Sequence, residues 1–185
     1  MSLKYGTKIK LSEQQLIDCD TGNDGCKGGL MTTAYDYIMK AAHVGKQIYI
    51  FYFIHNILSI KESDYPYADK KQECWFEKSK AVINIDGYVQ LGQNTKEITK
   101  ALLKVGPLGA GVNGKYLQFY KGEILDNPAC NSDLTHAVVI VGFGVEETKS
   151  GKEEYWILKN EWGNFWGEKG YFSIKKKWRR WCLWN

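Results

Sequence analysis

The chain has no Cys-x-x-Cys pair, and its three histidines, at 43, 55 and 136, show no metal-ligand spacing. Both absences argue against a zinc ribbon, and neither a metal nor a cofactor is expected. Residues 1 to 8 lack the apolar core that a signal peptide needs, so no export signal is expected on this chain. A long basic stripe is missing too: 25 basic against 21 acidic residues leave a net charge of +4, too balanced to argue for nucleic acid as a partner. Only Lys175-Lys176-Lys177-Trp178-Arg179-Arg180-Trp181 mixes basic and aromatic residues, and it reads as a solvated terminus. The apolar stretch from Ile48 to Leu58 is about half the roughly 20 residues that span a bilayer, so no membrane partner is expected either.

What is present suffices for a core. At 185 residues and 44% hydrophobic, one domain or two small lobes are expected. Five cysteines read as disulfides, and the odd count leaves at least one unpaired or without its partner. Ser12, with Gln15 three residues on and Leu11 and Leu16 beside them, forms a capping box and a hydrophobic staple, which predict a helix starting at Glu13 and ending near 18–20. Thr21 to Gly29 is turn chemistry. Apolar residues at 30, 31, 34, 35 and 38 predict a second helix from Leu30 to Lys40. Asp64-Tyr65-Pro66-Tyr67 is a turn, Ala81 to Leu91 alternates as a strand, and a lobe boundary falls between 88 and 89. Thr95 to Val105 is an amphipathic helix stopped by Gly106-Pro107. Beyond it, strands are expected at 108–112, 137–143, 155–158 and 171–174, the middle two joined by a charged loop.

The most informative stretch is Asp133-Leu134-Thr135-His136-Ala137-Val138-Val139-Ile140-Val141-Gly142-Phe143-Gly144. A polar loop delivers His136 to the start of a buried strand, and a second strand, Tyr155-Trp156-Ile157-Leu158, ends at Asn160. An asparagine amide that hydrogen-bonds one ring nitrogen of a histidine fixes its tautomer, leaving the other nitrogen free to exchange a proton with a nucleophile. His136 and Asn160 are therefore candidate catalytic residues. The bland alternative for His136 alone is a satisfied strand-end histidine.

These residues also carry a resemblance. The run His136 to Tyr171, with Lys159-Asn160-Glu161-Trp162-Gly163 and Trp166-Gly167-Glu168-Lys169-Gly170-Tyr171, resembles the histidine and asparagine segments of papain-like cysteine proteases, the cathepsins. Leu11-Ser12-Glu13-Gln14-Gln15-Leu16-Ile17-Asp18-Cys19 and Gly25-Cys26-Lys27-Gly28-Gly29 resemble that family in the right order, and Gly106-Pro107-Leu108 through Gln118-Phe119-Tyr120 is similar to its cathepsin F-like branch. The resemblance implies an α+β, papain-like two-lobe fold: residues 1–88 as a partial helical lobe and 89–185 as an antiparallel β-barrel-like lobe carrying His136 and Asn160. It implies a cysteine-type endopeptidase acting on polypeptide, a lysosomal or extracellular location, and a monomer. Gly28, Gly29, Leu30, Met31, Gly111, Ala137 and Trp162 would contact substrate, with Leu30 and Met31 favouring apolar side chains and Trp162 shielding the His136–Asn160 hydrogen bond. Cys19 would pair with Cys74 and Cys130 with Cys182, leaving Cys26 without a partner in this chain.

Several features depart from the family pattern. In papain and cathepsins the nucleophile lies in Cys-Gly-Ser/Ala-Cys-Trp/Tyr, roughly 130 to 150 residues before the His and Asn, which counts back to or beyond Met1. No such signature is present, and the oxyanion-hole glutamine just upstream of it is missing too. Residues 42–59 form an insert, read as an unspliced intron or gene-model fault against a genuine insertion, so His43 and His55 carry no functional weight. Glu161 stands where serine is usual, Phe165 where glycine is, and Thr135 where aspartate or asparagine is common. The expectation is an N-terminally truncated cysteine protease that is inactive as given and exposes apolar surface, with a non-catalytic peptide-binding paralogue and a decayed gene as alternatives.

Overall fold

A computed structural model describes residues 9–40, 59–83, 85, 87–126, 134–148, 151–176 and 183–184. The insert from 42 to 58, with His43 and His55, the expected Cys130–Cys182 bridge and the basic-aromatic tail beyond 176 lie outside the described residues. The chain divides into two compact units, 1–89 and 90–185.

In the first unit, α1 (Glu13–Cys19) starts where the capping residues placed it, with Ser12 Oγ accepting the Gln15 N–H at 3.0 Å. The reciprocal half of the capping box is used differently. Ser12 N–H donates to the Ile60 carbonyl at 2.9 Å, and Gln15 Oε1 accepts the Ile60 N–H at 2.9 Å, so the Gln15 side chain carries a tertiary contact. Ile60 belongs to β1 (Ser59–Ile60), which pairs antiparallel with β2 (Ala81–Ile83). The expected strand to Leu91 is cut short: 85 and 87–91 carry no strand, and Val89 is 83% exposed, with no strand pairing it among the described residues. The second helix, α2 (Met31–Lys40), begins one residue later than expected, and residues 31–39 are all half-buried.

The core of this unit is small, formed by Cys19, Ile60 and Tyr65 with Tyr37, Phe76 and Ala81 against them. Polar groups do much of the remaining work. Buried Asp18 forms no salt bridge among the described residues; its carboxylate accepts Gln14 Nε2 at 2.8 Å, Gln72 N–H at 2.7 Å and Tyr65 OH at 3.0 Å. Three donors satisfy a charge that would otherwise be costly to bury. Trp75 stacks on Tyr65 at 3.8 Å, and the adjacent Cys74 forms the expected disulfide with Cys19, Cα to Cα 4.9 Å. The bridge closes a separation of 55 residues, contributing about 4 kcal/mol in the chain-entropy account.

The second unit contains α3 (Thr95–Val105) and a six-stranded sheet ordered β4-β7-β6-β5-β3-β8. Here β3 is Leu108–Val112, β4 Ile124–Leu125, β5 His136–Thr148, β6 Gly151–Lys159, β7 Tyr171–Lys175 and β8 Leu183–Trp184. Pairing is antiparallel except between β4 and β7, which run parallel over two residues. A 3-10 helix at Gly114–Phe119 interrupts the strands. The charged segment read as a loop is instead a hairpin extension, in which Glu146 faces Glu153 and Glu147 faces Lys152. Lys175 resolves the like-charge pair: its ammonium donates to Glu153 at 2.6 Å and Asp126 at 2.8 Å, and these carboxylates raise its pKa above the usual lysine value. Ile98 and Leu102 of α3 pack with Ala110, Val112, Ile140, Trp156, Leu158, Phe172 and Ile174 into one apolar core. Alternation along each strand supplies one inward residue in two.

Candidate active site

His136 opens β5 and Asn160 follows the last residue of β6, and antiparallel pairing of these strands brings the two ends together. His136 Nε2 lies 2.8 Å from Asn160 Oδ1. The same oxygen accepts the Glu161 backbone N–H at 3.0 Å. A backbone N–H only donates, so the atom facing it must be the amide oxygen, and His136 Nε2 must then carry a proton. In the neutral ring that leaves Nδ1 with a lone pair, able to take a proton from a nucleophile.

The surroundings hold this pair in place. Asn160 is 4% exposed, its backbone N–H donates to the Gly170 carbonyl at 2.9 Å, and its Nδ2 is buried with no hydrogen-bond partner among the described residues. Trp162 lies 5.0 Å from the His136 ring, and Trp166 meets Trp162 edge-on at 5.1 Å. Trp166 is anchored in turn by donating Nε1–H to the Leu117 carbonyl at 3.1 Å. Glu161, in place of the usual serine, brings Oε1 to 3.4 Å from His136 Nε2 while its side chain stays 63% exposed. The carboxylate pairs with the ring when the imidazole is protonated.

One residue beside His136, Gly114, had no functional signal in the sequence. A Cβ on Gly114 would come within 2.9 Å of the His136 Cβ, so only glycine leaves the histidine its room. Gly114 N–H donates to Thr135 Oγ1 at 3.1 Å, and Thr135 N–H donates to the Val112 carbonyl at 3.0 Å, tying the approach loop to β3. Thr135 thus makes a local bond in place of the more common aspartate or asparagine. Gly111 pairs with Ala137, next to the Val112–His136 pair.

In the first unit, Gly28, Gly29, Leu30 and Met31 line an open hollow of about 210 Å³ between the ends of α1 and α2. Gly28, Gly29 and Leu30 are exposed, and the free Cys26 thiol is exposed beside them. Among the described residues no group of His, Cys, Asp and Glu could hold a metal ion, and no helix is long and apolar enough to cross a membrane.

A family model described as papain family cysteine protease matches residues 1–185. The chain is 40% identical over 181 residues to procathepsin L of Rattus norvegicus, covering 95% of this chain and 50% of that protein. It is 36% identical over 184 residues to cysteine proteinase 1 of Zea mays, covering 93% and 46%. Among solved structures, digestive procathepsin L2 from Tenebrio molitor larval midgut superposes with a TM-score of 0.83 at 30% identity, over 98% of this chain and 53% of that one. Procathepsin L 3 of the same insect gives 0.78 at 34%, over 98% and 55%. The chain spans about half the length of the relatives it matches.

Proposed function

Since the chain belongs to the papain family of cysteine proteases and has the papain-like α+β fold, we propose that it carries the histidine and asparagine of a cysteine-type endopeptidase acting on polypeptides. The observation that supports this most is the His136–Asn160 hydrogen bond, with its polarity dictated by the Glu161 N–H. In this role His136 Nδ1 would take the proton of a cysteine thiol, because the thiolate and not the thiol is the nucleophile. Asn160 holds the ring, Trp162 covers the bond, and Gly111 and Ala137 flank the histidine. Gly29 would offer backbone to an extended peptide by strand addition, with Gly28 leaving room for its approach, and Leu30 and Met31 would select an apolar side chain. A lysosomal or extracellular setting and a monomeric state follow from the resemblance. The stretch from Gly106 to Tyr120 is the ground for a cathepsin F-like affinity within the family, whereas the rat and insect relatives are cathepsins L by name.

This chain has no Cys-Gly-Ser/Ala-Cys-Trp/Tyr signature, so the 185 residues alone are expected to cleave no peptide and to resist active-site-directed epoxides. Stoichiometric labelling blocked by a peptide aldehyde would overturn that. The role of His136 is tested by reading the 5′ end of the transcript and co-expressing any upstream segment that bears the signature. Activity lost on His136→Ala supports the assignment, and activity unchanged in that variant sinks it. The exposed backbone at Gly29 favours a second reading, a non-catalytic peptide binder, which predicts peptide binding without hydrolysis.

A further inference from the structure

Building on the substrate reading above, we propose that Asn23 is a positioning residue for peptide binding: by occupying both backbone groups of Leu30, it leaves Gly29 as the single open residue against which an extended polypeptide pairs. The loop's hydrogen bonds can be followed residue by residue. Gly28 N–H donates to the Gly25 carbonyl and its own carbonyl accepts the Asp24 N–H, both at 3.0 Å. Leu30 N–H donates to Asn23 Oδ1 at 2.8 Å, and the Leu30 carbonyl accepts Asn23 Nδ2 at 3.2 Å and the Ala34 N–H at 3.1 Å. Gly29 lies between them with N–H and C=O both unpartnered among the described residues. One residue open in this way can exchange two hydrogen bonds with one residue of an antiparallel peptide.

Asn23 is itself held from below. Its Nδ2 donates to Asp20 Oδ2 at 2.7 Å, while Asp20 Oδ1 accepts the Gly22 N–H at 3.0 Å. Asp20 caps α1 and is buried, so the clamp is anchored to the helix. The amide orientation has no alternative, because a carboxylate stands on one side and a backbone N–H on the other. Asn23 also explains the glycine. A Cβ at position 29 would meet Asn23 Oδ1 at 2.1 Å, and the Gly29 backbone is not in the left-handed region, so space alone demands the missing side chain. Both residues are thus required together: the asparagine fixes the strand, and the glycine lets it do so while keeping the outer edge bare.

The test uses the full chain and a capped tripeptide, acetylated and amidated, with leucine in the centre to suit the apolar side chains of Leu30 and Met31. Amide resonances are followed during titration, and Leu30 amide exchange is measured without peptide. In the unmodified chain, shifts should centre on Gly29. Asn23→Leu should speed Leu30 exchange and weaken the peptide about tenfold, the loss of one preorganised contact. Asn23→Asp removes the donor and sets two carboxylates together, so it should weaken binding as much. Adding Asp20→Asn relieves that repulsion and keeps an acceptor on the Leu30 N–H, but leaves the Leu30 carbonyl without its amide donor, so affinity should recover only in part, staying about threefold below the original. If Asn23→Leu does not fold, the swap pair decides the matter. Equal affinity across the variants, or a swap as weak as Asn23→Asp alone, overturns the proposal while leaving the site's substrate role standing. Absence of any Gly29 shift in the unmodified chain overturns the substrate reading, and the role of Asn23 with it.

Discussion

Asn160 Oδ1 sits 2.8 Å from His136 Nε2 and 3.0 Å from the Glu161 N–H, so a single amide oxygen receives a ring proton and a backbone proton together. Removing that oxygen should let the neutral imidazole mix its two tautomers. Nitrogen-detected spectra of the chain should show the proton on Nε2 and a bare Nδ1. Asn160→Ala should blur that distinction, and Asn160→Asp, which keeps an acceptor in place, should preserve it. With a nucleophile supplied, the alanine variant should lose roughly a hundredfold in kcat through misorientation. Tautomers unchanged in Asn160→Ala would mean that something else orients the ring.

Two tyrosines should make the fold sensitive to alkali. Burial pushes both Tyr65 and Tyr120 up to about 12, and each hydroxyl also faces a carboxylate, Asp18 and Glu168 respectively. An unfolded tyrosine loses its proton near pH 10. Their contribution is therefore complete below about pH 10 and is lost as pH rises towards about 12. Denaturation midpoints measured from pH 9 to 12 should fall across that window. The fall should be shallower in Tyr65→Phe and Tyr120→Phe, and an identical fall in the double variant would assign it to other groups.

The first unit should depend on its disulfide. With Cys19, Ile60 and Tyr65 alone buried in its apolar cluster among the described residues, breaking the Cys19–Cys74 bridge by Cys74→Ser should destabilise it by about 2 to 5 kcal/mol. Amide exchange across residues 9–40 and 59–83 should accelerate while the sheet of the second unit keeps its protection. Peptide mapping of oxidised material should recover Cys19 joined to Cys74 with Cys26 as a free thiol. A Cys26 bridge to Cys19 or Cys74 contradicts this structure.

In the second unit the decisive contrast is between two phenylalanines seven residues apart in sequence. Phe172 is fully buried, with Tyr120 and Trp166 edge-on to it at 6.0 and 5.7 Å, whereas Phe165 is fully exposed. Phe172→Ala should cost about 3 to 5 kcal/mol, and Phe165→Ala should stay within about 0.5 kcal/mol. Denaturant titration of both variants checks the ranking, and equal losses would show that the core is packed differently.

Local signals were read well where the physics is local. Ser12 and the break at Gly106-Pro107 placed the ends of α1 and α3 because a cap or a missing donor acts within one turn. Apolar alternation located the cores of β3, β5, β6 and β7, but it missed how far β5 and β6 extend. Their outer ends are charged, and alongside the backbone pairing Lys175 of β7 offsets the charge of Glu153, the residue that faces Glu146. Ala81 to Leu91 failed for the opposite reason: its alternation was present, but beyond Ile83 no partner strand lies among the described residues.

By itself, the sequence determined the element types, the family, and the candidate pair His136 and Asn160, since periodicity, capping and motif order are written in neighbouring residues. Only the tertiary structure decided that Gln15 serves β1 instead of its own helix end, that Gly114 must be glycine to admit His136, and that Asn23 closes Leu30 while Gly29 stays open. Those choices depend on distances between residues separated in sequence, from 7 positions for Asn23 and Leu30 to 45 for Gln15 and Ile60. No local pattern encodes such separations, because which donor meets which acceptor is settled only when packing brings them within hydrogen-bond reach.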